Sequence, residues 1–257
     1  MLNPIIPEIC KDASISESAV EYPYQVLDIA AGPGDLSIAI AEKLGPTATI
    51  WCTDLVPEMV RIAERSAAER GVRNVRCRES RAEVLPFDSS SFDAVVCRFG
   101  IMFFSDPPAS VRESLRLLKT GGRVCHCVWG ARRDNPFHHV VQDVLDRYVA
   151  GPAPEPDAPG AFRFAESGKL VKVFDQAGAS AIRERRVRFN IAAPLSFDEF
   201  FEVRTEMSDS LRAKLRKLAP EQAASFKQDV QQNAESYFTS EGFSFPAEVL
   251  LVSGAKS

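Results

Sequence analysis

Nowhere in the 257 residues does an apolar run approach the roughly 20 consecutive positions that a membrane-crossing helix needs. No membrane span is therefore expected. The first residues lack the basic-then-apolar order of a secretory signal, which points to a cytoplasmic protein. Positive charge is not in excess either: 31 Lys and Arg stand against 35 Asp and Glu, a formal net charge of −4. That balance exerts no general pull toward nucleic acid or an anionic membrane, so neither is expected as a partner. The main basic cluster, Arg183 to Arg188, alternates along an expected strand and reads as a solvated sheet edge.

A disulfide framework and a metal cluster are missing as well. Of six cysteines, Cys52, Cys77, Cys97, Cys125 and Cys127 fall in expected core strands and Cys10 does not, the pattern of small buried thiols. Cys125-His126-Cys127 invites a metal reading. Strand alternation turns His126 away from both thiols, however, and no second ligand pair stands at zinc-like spacing, so no metal site is expected.

What the chain has is an apolar strand, Val26 to Ala30, running into Gly32-Pro33-Gly34 and then a helix with apolar positions Leu36, Ile38, Ala39 and Ile40. Glycines there let the backbone approach a ligand closely. A dinucleotide turn would carry a third glycine where this chain has Ser37, and Asp35 at the helix start would repel an arriving pyrophosphate. A cationic ligand fits better. A sulfonium nucleoside bearing an ammonium, such as S-adenosylmethionine, is one, with Asp28 placed to receive the ammonium. A second strand ends in Asp54, twenty residues after Gly34, where a carboxylate can accept from both ribose hydroxyls or instead cap the helix opened by Pro57.

Strand and helix then alternate: strands at 26–30, 48–53, 73–78, 92–98 and 122–129, helices at 35–44, 57–70 and 107–118. Such alternation implies an α/β, doubly wound, mostly parallel sheet with ligands at the carboxyl ends of its strands. Asp106-Pro107-Pro108 reads as a helix start. Beyond it, a helix from Phe137 to about Val149, a Pro-rich connector from Gly151 to Gly160, a helix at 166–177 and a strand at 181–191 are expected. Ser196 with Glu199 forms a capping box for further helices to about Tyr237, and a last strand follows near 245–253. The expected organisation is one domain, with a core at 25–130, 161–195 and 243–257 and helical cap insertions at about 131–160 and 196–242.

Four ordered segments, VLDIAAGPGDLS, CTDLVPEMV, ESRAEVLPFDSSSFDAVVCRFGIMFF and LKTGGRV, span residues 26 to 124. In them the chain resembles the class I S-adenosylmethionine-dependent methyltransferases, in particular the UbiE-like enzymes of ubiquinone and menaquinone biosynthesis. The resemblance implies a seven-stranded Rossmann-like methyltransferase fold. It places Asp28, Ala30, Gly32 and Gly34 at the methionine end, Asp54 on the ribose, Leu55 and Met59 on the adenine, and Ala82 and Glu83 at the adenine edge. Arg98, Phe99 and Met102 would lie beside the sulfonium and the acceptor, and the cap insertions would form the acceptor pocket. Two departures stand out. Arg81 occupies a place where many relatives carry an Asp, and the segment before the first strand is short, with Tyr22 and Tyr24 there reading as packing residues.

Methyl transfer from a sulfonium is a direct displacement, so positioning and water exclusion can supply roughly 7–11 kcal/mol of the barrier. A base is needed only if the acceptor must lose a proton. The candidates are His138 and His139, about 100° apart on their helix, and Arg98 could hold an acidic acceptor or stabilise an oxyanion. The expected partner is a small, partly apolar acceptor, methylated on oxygen or carbon and less readily nitrogen. Two other readings are a nicotinamide oxidoreductase, opposed by Ser37, and a non-catalytic cofactor-binding or assembly protein. The apolar cap helices fit closure of a pocket or contact with a second copy, leaving the oligomeric state, homodimer included, open.

Overall fold

A computed structural model describes residues 3–16, 23–149, 157–206 and 209–256. The expected tyrosine Tyr22 and residues 151–156 of the Pro-rich connector lie outside the described residues. The chain divides into two compact units. Of the described residues, one comprises those within 3–130, 159–187 and 249–256; the other those within 131–158 and 188–248.

The larger unit is the α/β core. Its parallel strands β1 (Gln25–Ile29), β2 (Thr49–Asp54), β3 (Val75–Glu79), β4 (Phe92–Arg98) and β5 (Leu118–Trp129) lie in the order β3-β2-β1-β4-β5. Chain order therefore reverses between β1 and β4, the switch point where such sheets leave a crevice beyond their carboxyl ends. Val26, Leu27 and Ile29 in β1, and Ala94, Val95 and Val96 in β4, are fully or almost fully buried, as strands covered on both faces require.

Helices α2 (Asp35–Leu44), α3 (Pro57–Glu69) and α4 (Pro107–Leu117) make the connections. Helix α3 buries Ala63 and Ala67, small residues that admit a close approach to the sheet. Helix α4 starts at Asp106, whose carboxylate accepts from the Ala109 amide at 2.8 Å, as its sequence led us to expect.

Strand β5 begins four residues earlier than the pattern suggested. Its register against β4 shifts between Phe92 and Ala94, a bulge built around Gly121 at φ +80° and Gly122, where a Cβ would stand 2.9 Å from the Asp93 carbonyl. Helix α1 (Ile6–Asp12), which strand periodicity gave no hint of, buries Ile9 and Cys10 and takes an ion pair from Arg185 to Glu8 at 2.7 Å and Asp12 at 3.1 Å. Arg185 is therefore not a solvated member of the basic cluster.

The rest of the sheet is formed by β6 (Ser180–Ala193), after α6 (Lys169–Gln176), and β8 (Gly242–Ala255), antiparallel to β5, giving the order β5-β8-β6. An eighth strand, β7 (Phe238–Thr239), pairs with β8 beside that seven-stranded path; two residues carry no readable alternation. The fold is thus α/β with a mostly parallel sheet.

The smaller unit holds α5 (Pro136–Tyr148), α7 (Phe197–Glu206), α8 (Asp209–Leu215) and α9 (Pro220–Ala234) with the β7–β8 hairpin. Its core is aromatic: Phe200 stacks on Phe245 at 5.1 Å, and Phe137 meets both. The capping box forms, the Ser196 amide donating to Glu199 at 2.8 Å. Asn135, buried, donates to the Glu248 carbonyl and accepts from its amide, both at 3.0 Å, so it clamps β8.

Candidate functional site

The Gly-rich turn leaves β1 through Ala30, held at φ +54°, and continues through Gly32 at +57° and Gly34 at +86°. The two glycines have different reasons. A Cβ at Gly34 would meet the Ala63 Cβ at 2.9 Å, so this residue is bare to let α3 close beneath the turn. Around Gly32 nothing lies within 4 Å of that position, so its face opens to a ligand.

Asp54 ties the turn to β2. One carboxylate oxygen accepts from the Gly32 amide at 2.8 Å and the other from Val56 at 2.9 Å, in a local turn. The helix cap of α3 is Val56, not Asp54. Each Asp54 oxygen retains a lone pair for a further donor.

Asp28 is completely buried below the turn. Its Oδ2 accepts from the Ser37 hydroxyl at 2.7 Å, while Oδ1 has no partner among the described residues. Burial raises its carboxyl pKa to about 7, against the pull of Ser37 and the Arg98 charge. Ser37, where a dinucleotide turn would place glycine, is thus the hydrogen-bond donor that holds Asp28.

Beside the turn lies a cleft of about 240 Å³ lined by Ala30, Leu55, Arg81, Ala82, Glu83 and Phe103 among others. Leu55 is 59% exposed and Phe103 56%, and Val56 and Val84 are also exposed: large apolar side chains left open at the strand ends. Glu83 accepts from Ser105 at 2.9 Å and lies 3.8 Å from Arg81. Met59 is half-buried on α3 and does not line this cleft. Met102 is fully buried, its carbonyl accepting from the Gly160 amide, and the neighbouring Phe103 lines the cleft.

After β4, Phe99 adopts φ +61° and stacks flat on Trp129, centroids 4.1 Å apart. A Cβ at Gly100 would stand 2.6 Å from that of Ala30, which makes Gly100 a further glycine of the site, and one that sequence reasoning passed over. Ser105 was missed too, because its partner Glu83 is distant in sequence. Arg98, mostly buried, lies 3.9 Å from Asp35.

His138 and His139 belong to the smaller unit, on α5. Burial, with Arg204 and His139 nearby, lowers the His138 pKa to about 3, leaving it neutral and a weak base. His139 differs: its Nδ1 is 2.7 Å from Asp143, which Arg132 also pairs, and its Nε2 is buried with no partner among the described residues. His126 packs edge-on against Phe174.

A model of the ubiE/COQ5 methyltransferase family matches residues 5–149, more than half of the 257. The chain belongs to this family. A ubiquinone/menaquinone biosynthesis C-methyltransferase of Cupriavidus necator is 31% identical over 193 residues, covering 70% of this chain and 75% of that protein. One of Ralstonia nicotianae is 37% identical over 111 residues, 43% of this chain and 45% of that protein, so the chain spans about half the length of that relative. Among solved structures, the YcgJ protein of Bacillus subtilis matches with a TM-score of 0.59 at 22% identity, covering 96% of this chain and 98% of that one, a likeness of fold. For a ubiE/COQ5-family chain, the turn, Asp54 and the cleft all fall at the carboxyl ends of β1 to β4, beside the switch point.

Proposed function

We propose that this protein transfers the methyl group of S-adenosylmethionine to carbon or oxygen, and less readily nitrogen, of a small, partly apolar acceptor. The observation that carries the reading is the acidic, open turn: the Asp54 carboxylate accepts from the Gly32 amide, nothing lies within 4 Å of a Cβ at Gly32, and Asp28, buried below the turn, has an Oδ1 with no partner among the described residues. Such a set of acceptors suits a cationic nucleoside and opposes a pyrophosphate.

Asp54 would take the ribose hydroxyls, Leu55 and Phe103 would sandwich the adenine, and Ala82 with Glu83 would face its edge. Ala30, Gly32 and Gly34 shape the methionine end, with Asp28 beneath. The cofactor, when bound, supplies an activated methyl. The protein's part is to align the acceptor and exclude water, for which the Phe99–Trp129 stack is an apolar wall. Where the acceptor must lose a proton, His139 oriented by Asp143 is the candidate base, and Arg98 the candidate partner for acceptor negative charge. The C-methyltransferase activity named for the Cupriavidus relative favours carbon as the acceptor atom.

Calorimetric titration of S-adenosylmethionine, S-adenosylhomocysteine and NADH tests the donor. Binding of both sulfur compounds and not NADH is expected, weakened about 10- to 100-fold by Asp54→Ala, which removes a charged acceptor for hydroxyl donors. NADH binding alone would overturn the reading. A transfer screen over phenols, quinones and carboxylic acids then identifies the acceptor.

A further inference from the structure

Cys52 and Cys77 are direct partners in the β2–β3 ladder, so their side chains leave the same face of the sheet. That face is the one α3 covers. Neighbouring strands stand about 4.8 Å apart, inside the Cα separation of a disulfide. Both are free thiols. The two sulfurs are unequal. Cys52 is buried, near Asp28, and its Sγ lies 3.8 Å from the point where a Cβ on Gly34 would sit. Cys77 is half-buried and reachable.

The neighbouring Cys77, then burial and the Asp28 carboxylate, hold the Cys52 pKa well above the ordinary range. The Cys77 pKa is lowered by Cys52 beside it, against burial and the Glu64 charge. One sulfur is thus an accessible nucleophile and the other a resolving thiol behind it.

We propose that Cys52 and Cys77 are a redox modification site that hydrogen peroxide closes to a disulfide, and that closure weakens cofactor binding at the adjoining turn. The Cys77 thiolate attacks the peroxide oxygen; the O–O bond breaks, and the released hydroxide takes up a proton as water. The Cys52 thiol attacks the resulting sulfenic sulfur, an S–S bond forms, and a second water leaves with the Cys52 proton. Two electrons pass to the peroxide. Closing the S–S bond draws Cys52 from under Gly34 and disturbs β2 two residues before Asp54, which holds the Gly32 amide.

The effect on cofactor rests on the function proposed above; disulfide formation does not. Purified full-length protein is treated with hydrogen peroxide, digested and mapped by mass spectrometry, with S-adenosylmethionine affinity measured before and after. The expected result is a peptide pair linked through Cys52 and Cys77, reversed by dithiothreitol and absent from Cys77→Ser, with affinity falling about tenfold in the oxidised protein, roughly one strong hydrogen bond's worth. Peroxide-treated Cys77→Ser should keep its affinity. Six free thiols after treatment, or Cys77 carried to sulfinic acid without a link, would overturn the site; linkage with unchanged affinity would overturn the coupling. If reduced protein binds no S-adenosylmethionine, the donor assignment fails while the peptide map still decides the thiol pair.

Discussion

At the scale of single residues, Gly32 and Gly34 look alike in sequence and differ in the fold. Gly34→Ala forces its Cβ to within 2.9 Å of Ala63 at a φ of +86° and should cost about 1–3 kcal/mol, read as a lower melting temperature. Gly32→Ala meets no neighbour, so its stability cost should be smaller while cofactor affinity falls because the methyl occupies ligand space. Equal destabilisation by the two would contradict this division of labour. Asp28 gives a second test. Its folded pKa, about 7, lies above the ordinary 3.8, so the folded state binds more protons in that interval. Stability should therefore decline as pH rises from about 4 to about 7, and Asp28→Asn should flatten the decline in urea melts.

At the scale of elements, the turn, β2 and the segment after β4 converge because each carries one half of a contact. Asp54 on β2 holds Gly32, Gly100 makes room for Ala30, and Trp129 at the end of β5 backs Phe99. Asp54 was legible, since its distance from the turn is fixed by the βαβ unit. Gly100 was not, because a packing demand from a residue far away in sequence leaves no local pattern. The Asn135 clamp is similar: its place suggests a helix start and, by resemblance, a part in the acceptor pocket, yet its amide satisfies both backbone groups of Glu248. Asn135→Ala should leave those buried groups unpaired and cost roughly 2–3 kcal/mol, seen as a shifted denaturation midpoint without loss of helix content. An unchanged midpoint would mean water replaces the clamp.

At the scale of the whole molecule, two histidines set the response to acid. His126 is fully buried against Phe174, with neither ring nitrogen partnered among the described residues, and burial lowers its pKa to about 3; His138 falls to about 3 as well. Both are neutral in the folded protein and charge in the unfolded chain below about 6.5. Their contribution is present above that value and is lost as pH falls toward about 3, opposite in sign to that of Asp28. His126→Phe, which keeps an apolar ring against Phe174, should reduce the stability lost between pH 7 and pH 4. A variant as acid-sensitive as the parent would show that another group governs the response. Among the described residues no helix is long and apolar enough to cross a membrane.

The sequence by itself determined the alternation of strands and helices from β1 to β5, the glycine turn and the acidic residue at the end of β2, because these depend on periodicity, glycine and fixed βαβ distances. Only the tertiary structure decided what each residue does there. It buried Asp28 and gave it Ser37, made Gly34 a packing residue and Gly32 an open one, added Phe103 to the lining of the cleft while leaving Met59 off it, and set Cys52 against Cys77. The physical reason is common to all: burial, close approach and pairing across strands are properties of segments brought together from different parts of the chain.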